Sequence, residues 1–299
     1  MSLVNYLTRP EYILQPKQIY YRFRRPPSHP VDSFQTIDLP WGVPLQIRPN
    51  PDDKVEWSLW IMGIYDLALS ESLWRLLDEG ETVFDIGANI GYITSLCAAK
   101  VGKTGQVIAF EPCPDIYKEL FSNVQTWQTL KNWTQIELKT VALTNKTGTG
   151  WLRLPIYNRG EAALIDDATD KGEETLKVYE VQLTRLDDLW DNKIDLLKID
   201  IEGHELAALQ GAKQLIQEQK IRDIFFEAHH GYAESIIEFL AAANYTVFRL
   251  WKGFWKPILY PAHYPEIHPW EPPNYLATTQ PQRVQQRLQK RGWQVLRLK

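Results

Sequence analysis

The chain has 299 residues, of which 44% are hydrophobic and 23% charged, and its formal net charge is −4. This composition suits a sizeable core in one large domain or two small ones, and the negative charge excludes a strong global attraction to nucleic acid. No apolar run approaches the roughly 18 residues that a membrane span needs, and the N-terminus lacks a signal-peptide pattern. We therefore expect a cytoplasmic protein in which Cys97 and Cys113 are reduced.

The first 66 residues are rich in proline, arginine and aromatic side chains. This composition predicts an irregular lead-in with two short strands, near residues 34–39 and 43–47. Ser70 is the expected N-cap of the helix that follows.

From residue 82 onward, the pattern alternates between short apolar runs and amphipathic stretches. The alternation predicts a doubly wound, mostly parallel α/β sheet, whose ligands bind beyond the carboxyl ends of the strands. The predicted strands are 82–86, 106–110, 135–143, 178–183, 193–199, 223–227 and 246–250, and the predicted helices are 90–100, 115–125, a stretch from about 206 and 235–243.

The end of the chain differs in composition. Nine of the 31 residues from 245 to 275 are aromatic, which predicts an ordered aromatic-rich loop before a last strand at 275–278. From Arg283 onward there are six basic residues and no acids. A solvated basic helix is the expected structure here, and a surface for an anionic partner or membrane is the alternative. A polar loop is expected at 160–174.

The most informative motif follows the first core strand. Residues 83–92 read V-F-D-I-G-A-N-I-G-Y, and residues 107–112 read V-I-A-F-E-P. The small residues fall as D-x-G-x-N-x-G, the acid-first spacing of S-adenosylmethionine enzymes, and not as the G-x-G-x-x-G of dinucleotide-binding loops. Asn89 replaces the middle glycine, and asparagine tolerates the left-handed backbone that a tight turn requires.

These motifs resemble the FkbM family of S-adenosylmethionine-dependent methyltransferases. The resemblance implies a class I methyltransferase (Rossmann-like) fold of seven strands with an antiparallel last strand, and methyl transfer to a hydroxyl of a sugar or natural product. The matching pieces are F-D-I-G-A-N-I-G-Y (84–92), A-F-E-P (109–112), V-A-L (141–143), L-D-D-L (186–189) and L-K-I-D-I-E-G-H-E (197–205), with a weaker G-I-Y-D (63–66).

The cofactor would lie along the loop and the second strand. Glycines let the backbone approach a ligand, the following helix offers free N–H groups to the methionine carboxylate, and Glu111 has the two oxygens that the ribose hydroxyls need. Asp85 is expected to orient the loop or a water molecule. The expected cofactor-binding residues are Asp85, Gly87, Ala88, Asn89, Gly91, Glu111, Pro112, Val141, Ala142 and Asp200.

An alcohol acceptor must lose its proton near the transition state, and a positioned histidine or carboxylate accelerates this step by about 10²–10⁴-fold. We expect the base to be His229 or His204, with a carboxylate from Asp200, Glu202 or Glu227 to orient it. Those carboxylates and His229 would also suit Mg²⁺ or Mn²⁺. No spacing requires a metal, and we assign no metal ligand.

The acceptor would be a small molecule or a glycan, covered by aromatic side chains. Trp251, Trp255 and Tyr260 are the expected substrate contacts, because aromatic rings stack on sugars and apolar scaffolds. The alternative is that these rings form a satellite core under a long loop. The sequence gives no indication of the oligomeric state.

These observations divide the chain into a lead-in (1–66), a catalytic core (67–250) and an aromatic-rich C-terminal cover (251–299) that belongs to the same domain. Three other functions stay open at this point. They are methyl transfer to nitrogen or to a protein, an NAD-binding oxidoreductase, and a non-catalytic scaffold or RNA-binding module. The missing G-x-G-x-x-G loop disfavours the oxidoreductase.

Overall fold

The computed structural model describes residues 9–24, 33–169, 175–228, 233–266 and 273–297. Its helices are α1 (Pro10–Leu14), α2 (Lys17–Arg24), α3 (Lys54–Met62), α4 (Leu67–Leu76), α5 (Tyr92–Val101), α6 (Pro114–Lys131), α7 (Leu186–Leu189), α8 (Glu205–Gln210), α9 (Lys213–Gln217), α10 (Ala233–Ala242) and α11 (Pro281–Leu288). Its strands are β1 (Gln35–Asp38), β2 (Pro44–Ile47), β3 (Thr82–Ile86), β4 (Gln106–Phe110), β5 (Ile136–Lys139), β6 (Val141–Leu143), β7 (Gly148–Pro155), β8 (Ala163–Ile165), β9 (Thr175–Thr184), β10 (Ile194–Ile199), β11 (Ile221–Glu227), β12 (Thr246–Lys252), β13 (Pro257–Pro261) and β14 (Asn274–Thr278).

The central sheet has the order β13-β12-β14-β11-β10-β3-β4-β5. The strands from β11 to β5 are parallel, and β14 is antiparallel between β11 and β12. This is the class I methyltransferase fold that the resemblance implies, with its last strand antiparallel and with β13 added at one edge. The parallel strands are almost wholly apolar because helices cover both faces of the sheet.

Successive residues of these strands enter two separate cores, as the two-residue period of a strand requires. Val83 and Phe225 pack in the core that the lead-in and α11 share. Phe84 and Phe226 pack on the other face, against α8, α9 and α10.

A second sheet, in the order β6-β9-β7-β8, stands beside the first. The predicted strand 135–143 is therefore wrong as a single element, because β5 pairs with β4 whereas β6 pairs with β9. Part of the predicted polar loop 160–174 is also a strand, since β8 pairs with β7. Residues 170–174 of that prediction lie outside the described residues.

The lead-in contains the two predicted strands, which pair as a hairpin, but it is more helical than predicted. Asp53 caps α3 by accepting the N–H of Glu56, and Gly63 ends that helix at φ 71°. The N-cap of α4 is Asp66, which accepts the N–H of Leu69. The predicted N-cap, Ser70, is therefore wrong by four residues. The Ser70 hydroxyl instead donates to the Tyr65 carbonyl.

The C-terminal part corrects two further predictions. The aromatic-rich segment forms β13, paired with β12, where a loop was predicted. Helix α11 is not simply solvated, because Arg283 pairs with Asp223 at 2.9 Å and Arg287 pairs with Asp78. Both cysteines are buried free thiols. None of the described helices combines the length and hydropathy that crossing a bilayer requires.

Candidate active site

A cavity of about 650 Å³ lies at the carboxyl ends of the parallel strands. Such a volume is typical of small-molecule sites, which are about 300–1,000 Å³. The sheet provides its floor, and the lead-in and the second sheet provide its walls. The lead-in contributes Lys54, Trp57 and Asp66, while the second sheet contributes Leu152 and Leu164.

The loop between β3 and α5 turns as tightly as the motif predicts. Asn89 has φ 51°, so its left-handed backbone is confirmed. Gly87 has φ 76°, and a Cβ there would lie 1.9 Å from the carbonyl oxygen of Asp200. At Gly91 a Cβ would lie 2.8 Å from Leu120. Neighbouring protein atoms, and not only a ligand, therefore require glycine at both positions.

Glu111 is held rigidly in the cavity wall. Its Oε2 accepts the N–H of Asn89 at 3.0 Å, and its Oε1 accepts the N–H of Cys113 at 2.9 Å. Burial raises the pKa of this carboxyl to about 7, although the two backbone donors oppose the shift. Each oxygen keeps a further lone pair for a ligand hydroxyl.

Asp85 lies behind the loop and does not line the cavity. It is fully buried, and its Oδ2 accepts the hydroxyl of Thr94 at 2.6 Å. Lys198 lies 3.5 Å from its Oδ1 and donates to the Gly87 carbonyl at 2.8 Å. Burial alone would lower the pKa of Lys198, but the Asp200 and Asp85 carboxylates raise it above its ordinary value. Lys198 is thus protonated and supports the loop through these contacts, and it does not act as a base.

Most of the residues predicted to bind the cofactor line the cavity. The two that do not line it are Asp85 and Gly91, which support the loop from behind. Those that line it are Gly87, Ala88, Asn89, Glu111, Pro112, Val141, Ala142 and Asp200.

The predicted catalytic carboxylates also line the cavity, at the ends of β10 and β11. Burial, together with the negative charges of Asp200 and Glu202, raises the pKa of Glu227 to about 8. Glu202 is exposed at the cavity rim. Desolvation by the surrounding walls, reinforced by Asp200 and Glu161, raises its pKa to about 7. Glu227 and Glu202 therefore hold protons near neutral pH.

The turn after β10 is fixed by Glu205, whose Oε1 accepts the N–H groups of Ile201 and Gly203 at 3.1 Å. This turn places Glu202 in a left-handed conformation with φ 53°, which is uncommon for glutamate. It also brings His204 into the cavity wall. The Nδ1 of His204 is buried without a hydrogen-bond partner, and burial lowers the pKa of this imidazole below its usual 6.5.

His229, the other predicted base, lies outside the described residues, so its assignment stays a prediction. No carboxylate among the described residues hydrogen-bonds the His204 imidazole, so the predicted orienting contact is not seen for it. Within the described part of the chain, no group of three or more His, Cys, Asp or Glu side chains is placed to hold a metal ion.

The predicted acceptor contacts Trp251, Trp255 and Tyr260 do not line this cavity. The rings of Trp251 and Tyr260 meet edge to face at 5.9 Å, and Tyr260 stacks on Tyr264 at 3.9 Å. Trp255 is 58% exposed. Trp251, Tyr260 and Tyr264 pack on one another at the β12–β13 edge of the sheet, and Trp255 packs on Phe254, so the geometry favours the alternative of a satellite cluster.

Several cavity residues carry no signal in the sequence because they come from distant segments. Asn274 donates to Asp66 across 208 residues, and Lys54 pairs with Glu161 at 2.7 Å. Arg159 donates to both oxygens of Glu119, at 2.8 and 3.0 Å, and thereby fixes the segment 158–161 over the cavity. The G-I-Y-D resemblance marked Asp66, but only as a weak match.

Comparisons with known proteins identify the family of the chain. A sequence model of the methyltransferase FkbM domain matches residues 85–247, which is more than half of the chain. The chain belongs to this family. It is therefore a methyltransferase.

Among curated proteins, the chain is similar to the hexuronic acid methyltransferase AglP of Haloferax volcanii, with 27% identity over 180 residues that cover 57% of this chain and 67% of that protein. Among solved structures it is similar to the methyltransferase FkbM from Methylobacillus flagellatus, with a TM-score of 0.45 and 17% identity over 76% of this chain. The chain spans 56% of that protein. A SAM-dependent O-methyltransferase from Thermotoga maritima gives a TM-score of 0.44 and 10% identity, with 84% and 94% of the two chains covered.

Proposed function

We propose that this protein is an S-adenosylmethionine-dependent O-methyltransferase that methylates a hydroxyl group of a sugar or a small natural product. The observation that carries the proposal is the division of one cavity into two ends. A rigid carboxylate, Glu111, and a tight loop lie at one end. A histidine and proton-holding carboxylates lie at the other end.

The residues at the first end fit S-adenosylmethionine. Glu111 is oriented by two backbone N–H groups and has lone pairs left for two ribose hydroxyls. Val141 and Ala142 offer an apolar slot for adenine. The bound cofactor supplies an already activated methyl group, so positioning accounts for much of the acceleration.

At the second end, His204 is our candidate for the residue that accepts the proton of the acceptor hydroxyl. Its lowered pKa keeps the imidazole neutral at pH 7, and its side chain lines the cavity. Glu227 and Glu202 hold protons near pH 7, so they donate hydrogen bonds as well as accept them. Paired donors and acceptors of this kind suit the hydroxyl groups of a sugar.

A sugar acceptor is further supported by the relative from Haloferax volcanii, whose name describes it as acting on hexuronic acid. The cavity lining supports it too, because Trp57 and Leu164 give a ring an apolar surface to pack on.

Two measurements test the proposal in sequence. Calorimetric titration should show saturable binding of S-adenosylhomocysteine and none of NADH. Hydroxylated sugars and metabolites incubated with S-adenosylmethionine should gain the mass of one methylene, and the methyl group should map to oxygen by NMR. Methylation confined to amines or to protein would overturn the oxygen specificity. Tight NADH binding would overturn the choice of cofactor.

A further inference from the structure

We propose that Arg249 forms a subsite for a carboxylate carried by the acceptor, so that the substrate of this enzyme is an acidic sugar or a similar hydroxy acid. The inference rests on the proposed function, because it assigns the charge of the molecule that the cavity methylates.

Arg249 differs from the other buried arginines in having no carboxylate partner. Arg75 pairs with Glu71 at 2.6 Å and Arg222 with Asp223 at 2.9 Å, and the partly buried Arg159 pairs with Glu119 at 2.8 Å. Arg249 is only 2% exposed, yet no acid among the described residues pairs with it. A buried charge without a counter-ion is costly, and such groups are normally paired. Since Arg249 lines the cavity, an anionic ligand can supply the missing charge.

The free atoms of Arg249 form a fork. Its Nη1 donates to the Tyr275 hydroxyl at 2.6 Å, and its guanidinium carbon lies 4.7 Å from the centre of the Tyr275 ring. Its Nε is buried and has no hydrogen-bond partner, and no described residue accepts from Nη2. Nε and Nη2 share one edge of the planar group, and that edge matches the two oxygens of a carboxylate.

The fork is held in place by its neighbours in the sheet. Arg249 is paired in register with Tyr275 on β14, and Tyr275 is paired with Phe226 on β11. The rings of Tyr275 and Phe226 stack at 5.1 Å with an interplanar angle of 7°. A guanidinium anchored in this way loses little conformational entropy when it binds an anion.

The position of β12 assigns this subsite to the acceptor and not to the cofactor. Four strands (β14, β11, β10 and β3) separate β12 from β4, which carries Glu111 at its end. At about 4.8 Å for each strand spacing, the two strands lie roughly 24 Å apart. The loop at Gly87, which would receive the methionine carboxylate, follows β3 and is only one spacing closer. The anion that reaches Arg249 is therefore a group of the acceptor.

The charges of the cavity then orient the acceptor. The acidic wall formed by Asp200, Glu202 and Glu227 offers hydrogen bonds to hydroxyl groups, because Glu202 and Glu227 hold protons near pH 7, whereas Arg249 attracts a carboxylate. An acidic sugar would bind with its carboxylate at Arg249 and a hydroxyl at the acidic wall near His204. A neutral sugar lacks the contact with Arg249, so this contact cannot fix its orientation in the cavity.

Three hexoses that differ at one carbon test the proposal. Glucuronate, glucose 6-phosphate and glucose are titrated by calorimetry into wild-type protein saturated with S-adenosylhomocysteine. We expect glucuronate to bind on the order of 10–100-fold more tightly than glucose, as for hydrogen bonds to a charged group. In Arg249→Gln this preference should vanish while the affinity for S-adenosylhomocysteine stays unchanged.

Further variants separate the subsite from a folding defect. Arg249→Lys keeps the charge but not the fork, so it should retain only part of the preference. Arg185→Gln removes an arginine whose side chain is 41% exposed and does not line the cavity, so this variant should keep the full preference for glucuronate.

Unaltered glucuronate binding in a folded Arg249→Gln protein would overturn the proposal. So would equal affinity of wild-type protein for glucuronate and glucose, or absence of glucuronate binding. A preference for glucose 6-phosphate alone would overturn the choice of a carboxylate. Failure to bind S-adenosylhomocysteine would instead refute the proposed function.

Discussion

The two ends of the cavity are built in different ways. At the cofactor end, the contacts of Glu111 span 22 and 2 residues and that of Asp85 with Thr94 spans 9, so one β-α-β unit contains them all. At the acceptor end, the contact of Asp66 with Asn274 spans 208 residues and that of Lys54 with Glu161 spans 107. The first end is therefore mostly local, with Lys198 of β10 as its distant support, whereas the second exists only when distant segments have assembled. Changes at the two ends should therefore have different consequences.

The largest expected effect is at Gly87, in the cofactor end. In Gly87→Ala the new Cβ would meet the Asp200 carbonyl at 1.9 Å, and the backbone would be strained at φ 76°. Because a backbone atom cannot move aside cheaply, we expect the unfolding free energy to fall by roughly 3–5 kcal/mol. We expect cofactor binding to weaken as well, because the loop is displaced. Urea denaturation and titration with S-adenosylhomocysteine measure both.

Gly203 is the matched control in the acceptor end. It has a similarly positive φ of 95°, but a Cβ there meets nothing within 4 Å. Gly203→Ala should cost only the backbone strain of about 1–2 kcal/mol and should keep cofactor affinity. Equal costs in the two variants would show that strain alone, and not the close approach of β10, makes glycine necessary at Gly87.

The next largest effect is on catalysis at His204. We expect His204→Gln to lower kcat by about 10²–10⁴-fold without changing the affinity for S-adenosylhomocysteine. Burial lowers the pKa of His204 below 6.5. The wild-type kcat should therefore rise with pH and then level off, and the midpoint of the rise should lie below pH 6.5. In His204→Gln this rise in kcat should be absent.

Glu227→Gln tests whether the base is Glu227, which we expect only to orient the base, and not His204. Burial and the neighbouring carboxylates raise the pKa of Glu227 to about 8. If Glu227 were the base, kcat would rise with a midpoint near pH 8, and this rise would disappear in Glu227→Gln. A profile of that kind, with His204→Gln fully active, would contradict our assignment.

A smaller effect is expected from Glu111→Gln, which keeps the size of the side chain but removes its charge. Loss of charge-assisted hydrogen bonds should weaken S-adenosylhomocysteine binding by about 1–3 kcal/mol. Since the pKa of Glu111 is about 7, the wild-type affinity should increase as the pH rises from 6 to 8 and the carboxyl ionises. In the variant this pH dependence should be absent, and persistence of it would assign the effect to another group.

The same contrast explains what the sequence predicts and what it does not. The strand ends at Asp85, Glu111 and Glu227 were predictable because apolar runs that stop at an acid mark both the strand and its edge. The left-handed Asn89 followed from residue type alone. Arg249 gave no signal, because a lone arginine in a short strand resembles any surface arginine until β14 and β11 pair beside it. The splitting of 135–143 into β5 and β6 was missed for the same reason, since only strand pairing distinguishes them.

The smallest expected effect tests the aromatic side chains. Trp255 is 58% exposed and outside the cavity, whereas Trp57 is partly buried and lines it. Trp255→Ala should therefore change unfolding free energy and kcat/KM by less than about 0.5 kcal/mol, as exposed substitutions usually do. Trp57→Leu should raise KM several-fold, because the acceptor loses an aromatic face at the wall. If Trp255→Ala raised KM and Trp57→Leu did not, the acceptor would bind along the β12–β13 edge of the sheet. The cavity beside Arg249 would then not be the acceptor site.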